Sequence, residues 1–235
     1  PQNKETNLFL KKINNKNIKD IGNLKFIENK LPKKNKLNKY LIKELKKRNI
    51  WVASSTHAGE EKFCSQTHIE LKKRIKNLTT IIIPRHIHRV DQIVNEIKNL
   101  NLKVDLHSSK KTRLNLTDIY IVDTFGDTQD FHEIASSVFL GGSVIKRGGQ
   151  NPLEAARFGA KILHGPNIDN FKDIYKKLKS LKISVRVTTP KKLASSIVFE
   201  KNKYMGDKIK NIGTKIFKKT IKELDSIINN ELKKT

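Results

Sequence analysis

Cysteine is almost absent from this sequence of 235 residues, in which Cys64 stands alone. A single cysteine excludes an internal disulfide and a multi-cysteine zinc site, and it suits a reducing compartment. Phe63, Thr67 and Leu71 surround it at helical spacing, so we interpret the thiol as helix packing rather than as a nucleophile. The histidines lack metal-ligand spacing, and we expect no metal site. No apolar run reaches the length of about 20 residues that a membrane span needs.

Acidic residues are also scarce: 23 carboxylates face 49 lysines and arginines, which leaves a net charge of +26. Such a charge attracts nucleic acids, anionic membranes and phosphorylated ligands. The lysines are nevertheless spread along the whole chain, without an RNP-type aromatic motif, zinc-finger spacing or a compact arginine cluster. We therefore favour a solvated lysine surface and expect no nucleic-acid partner, whereas attraction to an anionic lipid surface stays compatible with the pattern.

Strands alternate with helices from residue 49 to residue 187, which predicts an α/β fold with a doubly wound, Rossmann-like parallel sheet. Ile21–Phe26 is a short strand-like unit before this region. The predicted boundaries assign residues 26–48 to a linker and short helix, 49–200 to the sheet domain and 201–235 to a C-terminal helix. That helix is expected to pack across the domain or onto a domain outside this chain.

Polar residues collect where five predicted strands end, at residues 54–57, 84–86, 123–124, 141–143 and 165–167. Ligands of doubly wound sheets bind in the crevice at the carboxyl ends of the strands. The five loops are therefore expected to face a single crevice.

The loop after Phe139 carries two glycine pairs and then the start of a helix. Asn151 can cap this helix, Pro152 fits its first position and Glu154 lies in its first turn. Together with Lys146 and Arg147 in the same loop, this junction predicts an anion site. A plain strand-to-helix turn is the alternative.

Seven ordered motifs together resemble the C-terminal half of the 3-deoxy-D-manno-octulosonic acid (Kdo) transferases. They lie at residues 21–26, 53–61, 84–86, 122–127, 139–143, 148–154 and 165–171. The resemblance implies a GT-B glycosyltransferase of lipopolysaccharide biosynthesis that transfers Kdo from CMP-Kdo to a lipid A precursor (lipid IVA), by an inverting reaction without a metal or other cofactor. Residues 49–200 would then bind the CMP-sugar.

The resemblance also assigns residues to the donor site. CMP contacts are expected at Pro84, Arg85, Phe125, Gly126, Asp127, Asn151, Pro152, Leu153 and Glu154. Further donor or acceptor contacts are candidates at Ser55, Thr56, His57, His86, Gly142, Ser143, Lys146, Arg147, Gly149 and Gln150. Three positions depart from the family pattern, with Asp127 and His88 where Glu is usual and Gln150 where His is usual.

No catalytic residue is assigned within this chain, because the resemblance places the general base in an N-terminal domain that also carries the membrane anchor. Residues 1–25 would be the tail of that missing domain. The sequence begins at Pro1 rather than Met, and we expect a soluble fragment, inactive alone, of an enzyme at the cytoplasmic face of the inner membrane. Its partners would be CMP-Kdo, the lipid A precursor, the missing domain and the anionic membrane surface.

Two other classes of function stay open. Another GT-B nucleotide-sugar enzyme would share the fold, and a basic non-catalytic module would bind nucleic acid or anionic lipid. Among single residues, His57 and His86 are candidates for ligand contacts, whereas His164 is expected to pack locally. Glu60 and Glu61 follow Gly59 at a predicted helix start, where carboxylates stabilise the helix dipole, and we prefer that role to catalysis.

Overall fold

The computed structural model describes residues 4–13, 18–28, 37–109 and 114–232, and its centre is a seven-stranded sheet. The strands are β1 (Asn49–Thr56), β2 (Leu78–Pro84), β3 (Val104–Leu106), β4 (Ile119–Ile121), β5 (Ser137–Leu140), β6 (Lys161–His164) and β7 (Ser184–Arg186). Their spatial order is β3-β4-β2-β1-β5-β6-β7, and every pair is parallel. The predicted doubly wound α/β fold is confirmed.

The sheet turns in direction beside its central strand. From β1 the chain continues to its neighbour β2, then to the edge strand β3 and back to β4 between β3 and β2, before it crosses to β5 on the other side of β1 and continues to β7. Adjacent strands β1 and β5 therefore form the topological switch point, where ligands of such sheets bind. Every residue of β2 is buried, as expected for a parallel strand with helices over both faces.

The helices are α1 (Lys4–Lys12), α2 (Lys39–Lys46), α3 (Glu60–Lys72), α4 (Val90–Lys98), α5 (Thr128–Ile134), α6 (Leu153–Arg157), α7 (Lys172–Ser180), α8 (Pro190–Ser196) and α9 (Lys203–Leu232). They complete two apolar cores, one on each face of the sheet. Val52 and Val138 point into one core, whereas their neighbours Trp51 and Phe139 point into the other, because successive strand side chains alternate between faces.

Two expectations before β1 were wrong. The strand-like unit at Ile21–Phe26 is irregular and ends in a 3₁₀ turn at Leu24–Phe26, because Asn23 Oδ1 accepts the Lys25 N–H and caps this turn. The end of the predicted linker belongs to the domain: Leu37 is buried and its N–H donates to Asp130 Oδ2 at 3.1 Å. Residues 29–36 of that linker lie outside the described residues.

The C-terminal helix α9 starts three residues before the predicted Gly206 and packs through its first half. Ile209 is fully buried, and Gly213 lies so close to the Phe26 carbonyl that an added Cβ would stand 2.2 Å from its oxygen. In the second half, Phe217, Leu224 and Ile228 remain about half exposed. Within the described ranges, no helix is both long and apolar enough to cross a bilayer.

Candidate functional site

The loops at the carboxyl ends of the strands are joined by backbone hydrogen bonds. The Arg85 N–H donates to the Thr56 carbonyl at 2.9 Å and connects the loops after β2 and β1. The Gly141 N–H donates to the Ser54 carbonyl at 2.8 Å, and thereby attaches the glycine loop to the end of β1. The Asn167 N–H donates to the Ser143 carbonyl, also at 2.8 Å, and joins the loops after β6 and β5. These three bonds bring four of the five predicted loops to one edge of the sheet.

The end of β1 and the glycine loop approach each other too closely for any residue but glycine at position 141. A Cβ on Gly141 would lie 2.2 Å from the Ser55 carbonyl oxygen, a backbone atom that cannot rotate away. Ser55 itself has a φ of 55°, at a register irregularity between Ser54 and Thr56. A strained non-glycine residue at a switch point is typical of a functional site.

A buried carboxylate holds the glycine loop. Glu60 is fully buried in the first turn of α3, and its oxygens accept the N–H groups of Gly142 at 2.7 Å, Ser143 at 3.1 Å and Val144 at 3.0 Å. The His57 N–H donates to the same carboxylate at 3.1 Å. The amides of Gly142 and Ser143, candidates for ligand contact, are therefore occupied by an internal anion. The preferred helix-dipole role for Glu60 was incomplete, because this carboxylate organises the loop.

Glu61 is also fully buried and forms an ion pair with Arg89, with Oε1 3.1 Å from Nη1. Burial raises the pKa of the Glu61 carboxyl, and the Arg89 guanidinium opposes this shift. The same buried environment, together with the charges of Glu60 and Glu61, raises the pKa of the Cys64 thiol well above its usual value. A buried thiol of high pKa agrees with the packing interpretation of Cys64.

Besides Thr56, which is fully buried, three predicted contact residues direct their side chains into the protein. Asp127 is 7% exposed, accepts a hydrogen bond from the Thr124 hydroxyl and lies 3.7 Å from His107 Nε2. Ser143 is fully buried and donates its hydroxyl to the Leu140 carbonyl. The third is Leu153, which belongs to the apolar core.

The start of α6 differs from the predicted anion site. The helix has only five residues and begins at Leu153, two residues after Asn151. The N-cap is Pro152 rather than the predicted Asn151, and Asn151 Oδ1 accepts the Leu153 N–H at 3.0 Å, so it occupies an amide that was expected to meet phosphate. Pro152 is buried, and the Gln150 carbonyl accepts the Tyr175 hydroxyl at 3.1 Å.

A second set of predicted residues faces solvent at the same edge. Arg85, Lys146 and Arg147 are exposed, and their side chains make no hydrogen bond or ion pair with the residues that the structure describes. Phe125 and Gly126 follow the end of β4, and the Phe125 ring is 78% exposed. Cations without a partner among the described residues and an exposed aromatic ring at the same edge of the sheet are suited to an anion that carries a planar group.

Three histidines cluster at this edge. The ring centroids of His57 and His86 are 5.9 Å apart, and those of His86 and His88 are 5.6 Å apart. Desolvation, followed by the neighbouring His57 and His88, lowers the pKa of His86. Across the described ranges no group of three or more His, Cys, Asp or Glu side chains is arranged to hold a metal ion. His164 is buried against Tyr175, with ring centroids 4.4 Å apart.

Sequence reasoning did not identify His132 of α5 as part of this edge. Its side chain is buried between the end of β1 and α6, with Nε2 3.0 Å from Ser54 Oγ and Nδ1 3.8 Å from Glu154 Oε2. Burial lowers the pKa of His132 to about 4. No spacing signal in the sequence links this histidine to Glu154, because the two residues meet only through the packing of α5 against α6.

Fold and loops together define the Rossmann-like domain of a GT-B glycosyltransferase, with its crevice at the β1–β5 switch point. The crystal structure of the C-terminal CMP-Kdo binding domain of WaaA from Acinetobacter baumannii is similar to this chain with a TM-score of 0.61 at 20% identity, and the match covers 78% of this chain and 99% of that domain.

Curated sequence relatives identify the family of this chain. The 3-deoxy-D-manno-octulosonic acid transferase of Rickettsia felis is 33% identical over 193 residues, and that of Rickettsia typhi is 35% identical over 192 residues. These matches cover 81% and 80% of this chain. The chain belongs to the 3-deoxy-D-manno-octulosonic acid transferase family. It spans 41% of the length of both relatives, and no protein-family model matches it.

Proposed function

We propose that this chain binds CMP-Kdo in the crevice between β1 and β5 and serves as the donor-binding part of a Kdo transferase. The complete enzyme would transfer Kdo to a lipid A precursor, lipid IVA, in lipopolysaccharide biosynthesis. The observation that carries the proposal is the set of three exposed, unpaired cations, Arg85, Lys146 and Arg147, at the switch point of a family member.

Each exposed group would contact a different part of the donor. Arg85 can offer two parallel N–H donors to the phosphate of CMP, and Lys146 and Arg147 add positive charge from the glycine loop. The Phe125 ring and the Gly126 backbone lie where the cytosine would stack. Glu154 is 44% exposed in the first turn of α6, where its carboxylate can accept hydrogen bonds from the ribose hydroxyls.

The proposed reaction is a direct displacement at the anomeric carbon of Kdo. The acceptor oxygen forms the new bond as the bond to the CMP phosphate breaks, so the configuration inverts and the acceptor proton passes to a general base. The cations of the crevice stabilise the charge that develops on the leaving CMP without a metal. The base would be a carboxylate in a region of the enzyme that lies outside this chain, so the chain alone would bind donor without transfer.

The charge of the chain suits the proposed location of the complete enzyme. A lipid A precursor is displayed at the cytoplasmic face of the inner membrane, and a net charge of +26 favours approach to such an anionic surface. In this proposal the lysines outside the crevice promote membrane proximity, whereas the cations of the crevice recognise the donor.

Titration calorimetry with CMP tests the donor site. We expect one CMP per chain, a weaker response to GMP, and binding that persists at 0.5 M salt. A basic module would instead bind heparin or an oligonucleotide, with an affinity that falls steeply over the same range of salt. Polyanion binding without any CMP response would overturn the proposed function. A preference for a uridine nucleotide would support a different GT-B donor.

A further inference from the structure

Within the proposed donor site, we infer that His132 is a positioning residue that orients Glu154 toward the ribose of the bound nucleotide. This inference rests on the proposed function, because it needs a ribose at Glu154. It concerns the row of side chains Ser54, His132 and Glu154, in which His132 of α5 connects the end of β1 to the first turn of α6.

The imidazole of His132 is almost completely enclosed and has one nitrogen without a hydrogen bond. The residue is 3% exposed, Nε2 contacts Ser54 Oγ at 3.0 Å, and the buried Nδ1 has no hydrogen-bond partner. Nδ1 is directed at Glu154, whose Oε2 lies 3.8 Å away. A buried polar atom without a hydrogen bond is unfavourable, unless another state of the protein uses it.

The contact with Ser54 fits the tautomer that carries the proton on Nδ1. The ring is neutral near pH 7, because burial lowers its pKa to about 4. When the Ser54 hydroxyl donates to Nε2, the proton of the neutral ring is on Nδ1, the nitrogen that faces Glu154. His132 can then donate to the carboxylate, and a gap of 3.8 Å closes to a hydrogen bond with a small rotation of the Glu154 side chain.

Glu154 lies in the first turn of the five-residue helix α6, and its side chain is 44% exposed. The Arg157 guanidinium also interacts with this carboxylate, and His132 Nδ1 faces it from a buried position. A hydrogen bond from Nδ1 to one oxygen leaves the other oxygen toward the crevice, where it can accept from a ribose hydroxyl. The histidine thus acts through Glu154, in the way that a partner of a metal ligand sets the orientation of that ligand.

Two substitutions separate this role from simple packing. The side-chain amide of His132→Asn lies near the position of Nδ1 and can still donate to Glu154, whereas the amide of His132→Gln reaches the position of Nε2 and contacts Ser54. The probes are CMP and 2′,3′-dideoxy-CMP, which lacks the hydroxyls that Glu154 would accept. Calorimetry gives the ratio of their dissociation constants for each protein.

We expect the wild type to prefer CMP by roughly 10-fold, the value of one hydrogen bond to a charged group. His132→Asn should keep most of this preference, and His132→Gln should reduce it to roughly 2-fold, with dideoxy-CMP bound equally by all three proteins. If both substitutions prevent folding, Ser54→Ala removes the hydroxyl that fixes the tautomer, and its preference for CMP should fall about 3-fold.

The outcomes distinguish the inference from the proposed function. Full ribose preference in His132→Gln, or equal losses for CMP and dideoxy-CMP in both His132 variants, would show that the histidine only packs. An unchanged preference in Ser54→Ala would contradict the tautomer argument. A wild type that does not bind CMP at all would instead remove the proposed function, and this result precedes any comparison of variants.

Discussion

Glu60 and Glu154 each lie in the first turn of a helix at the carboxyl edge of the sheet, and they differ in burial and in their partners. Glu60 is fully buried and accepts four backbone amides from two loops, whereas the Glu154 side chain is 44% exposed on a helix of five residues. The contrast extends to their surroundings. The buried residues around Glu60 contact one another, and we call them the support layer. The solvent-facing residues, which include cations without a partner among the described residues, are called the contact layer.

Neighbouring residues of one sequence motif therefore serve different purposes. The support layer consists of Glu60, Glu61, Asp127, His132 and Ser143, and the contact layer consists of Arg85, Phe125, Lys146, Arg147 and Glu154. Loss of a support residue should lower the free energy of unfolding, since its partners stay buried. Loss of a contact residue should lower ligand affinity and leave stability unchanged.

The strongest test of the support layer is Glu60→Gln. An amide of the same shape loses the charge and turns an NH₂ group toward N–H donors, so we expect a loss of about 4 kcal/mol in the free energy of unfolding. Chemical denaturation measures it. Glu70→Gln is the matched control, because Glu70 lies on the same helix and forms an exposed ion pair with Lys73. A loss below about 1 kcal/mol would show that the amides of the glycine loop do not depend on Glu60.

Acid should lower the stability of the fold through two buried histidines, of which His132 belongs to the support layer. Burial lowers the pKa values of His68 and His132 to about 4, below the value of 6.5 that applies to the unfolded chain. The unfolded state therefore binds more protons below pH 6.5, and stability falls as the pH decreases, by about 3 kcal/mol per histidine at pH 4. Denaturation of the wild type and His68→Gln between pH 4 and 7 measures the slopes.

We expect His68→Gln to take up one proton fewer than the wild type on unfolding near pH 5. This comparison of slopes is independent of any constant loss of stability that the substitution causes. Equal slopes would mean that His68 is protonated in the folded protein, despite its enclosed position between Thr80 and Asp118.

Much of the fold was predictable, because it depends on periodicity and on residues that act locally. The apolar run of β2 and the alternation of strands with helices carry the sheet topology directly. The division into support and contact layers was not predictable, since it depends on long-range contacts. Nothing near Glu60 in sequence shows that its carboxylate reaches amides 82 to 84 residues away. His132 was missed for the same reason.

Arg85→Ala tests the contact layer most directly. We expect CMP affinity to fall roughly 30-fold, the equivalent of about 2 kcal/mol for a hydrogen bond between charged groups. The melting temperature should stay unchanged, since the guanidinium has no partner among the described residues and only the Arg85 backbone joins the loops. Lys98→Ala, at the opposite edge of the sheet, is the control for general charge. Equal effects of the two substitutions would indicate that the protein binds CMP by net charge.

Phe125→Ala should have the smallest effect and gives the sharpest distinction between charge and shape. A ring that is 78% exposed contributes little to the folded protein, and its retention at the end of β4 is explained if it stacks on cytosine. Stacking is worth about 1 kcal/mol at the lower end of its range, so we expect the dissociation constant for CMP to rise about 5-fold. Inorganic phosphate should compete with CMP equally well in both proteins, because it has no base. Phe217→Ala removes another half-exposed ring, on α9, and should leave CMP affinity unchanged. If Phe125→Ala also weakens phosphate competition, the residue supports the loop after β4, and it belongs with Asp127 in the support layer.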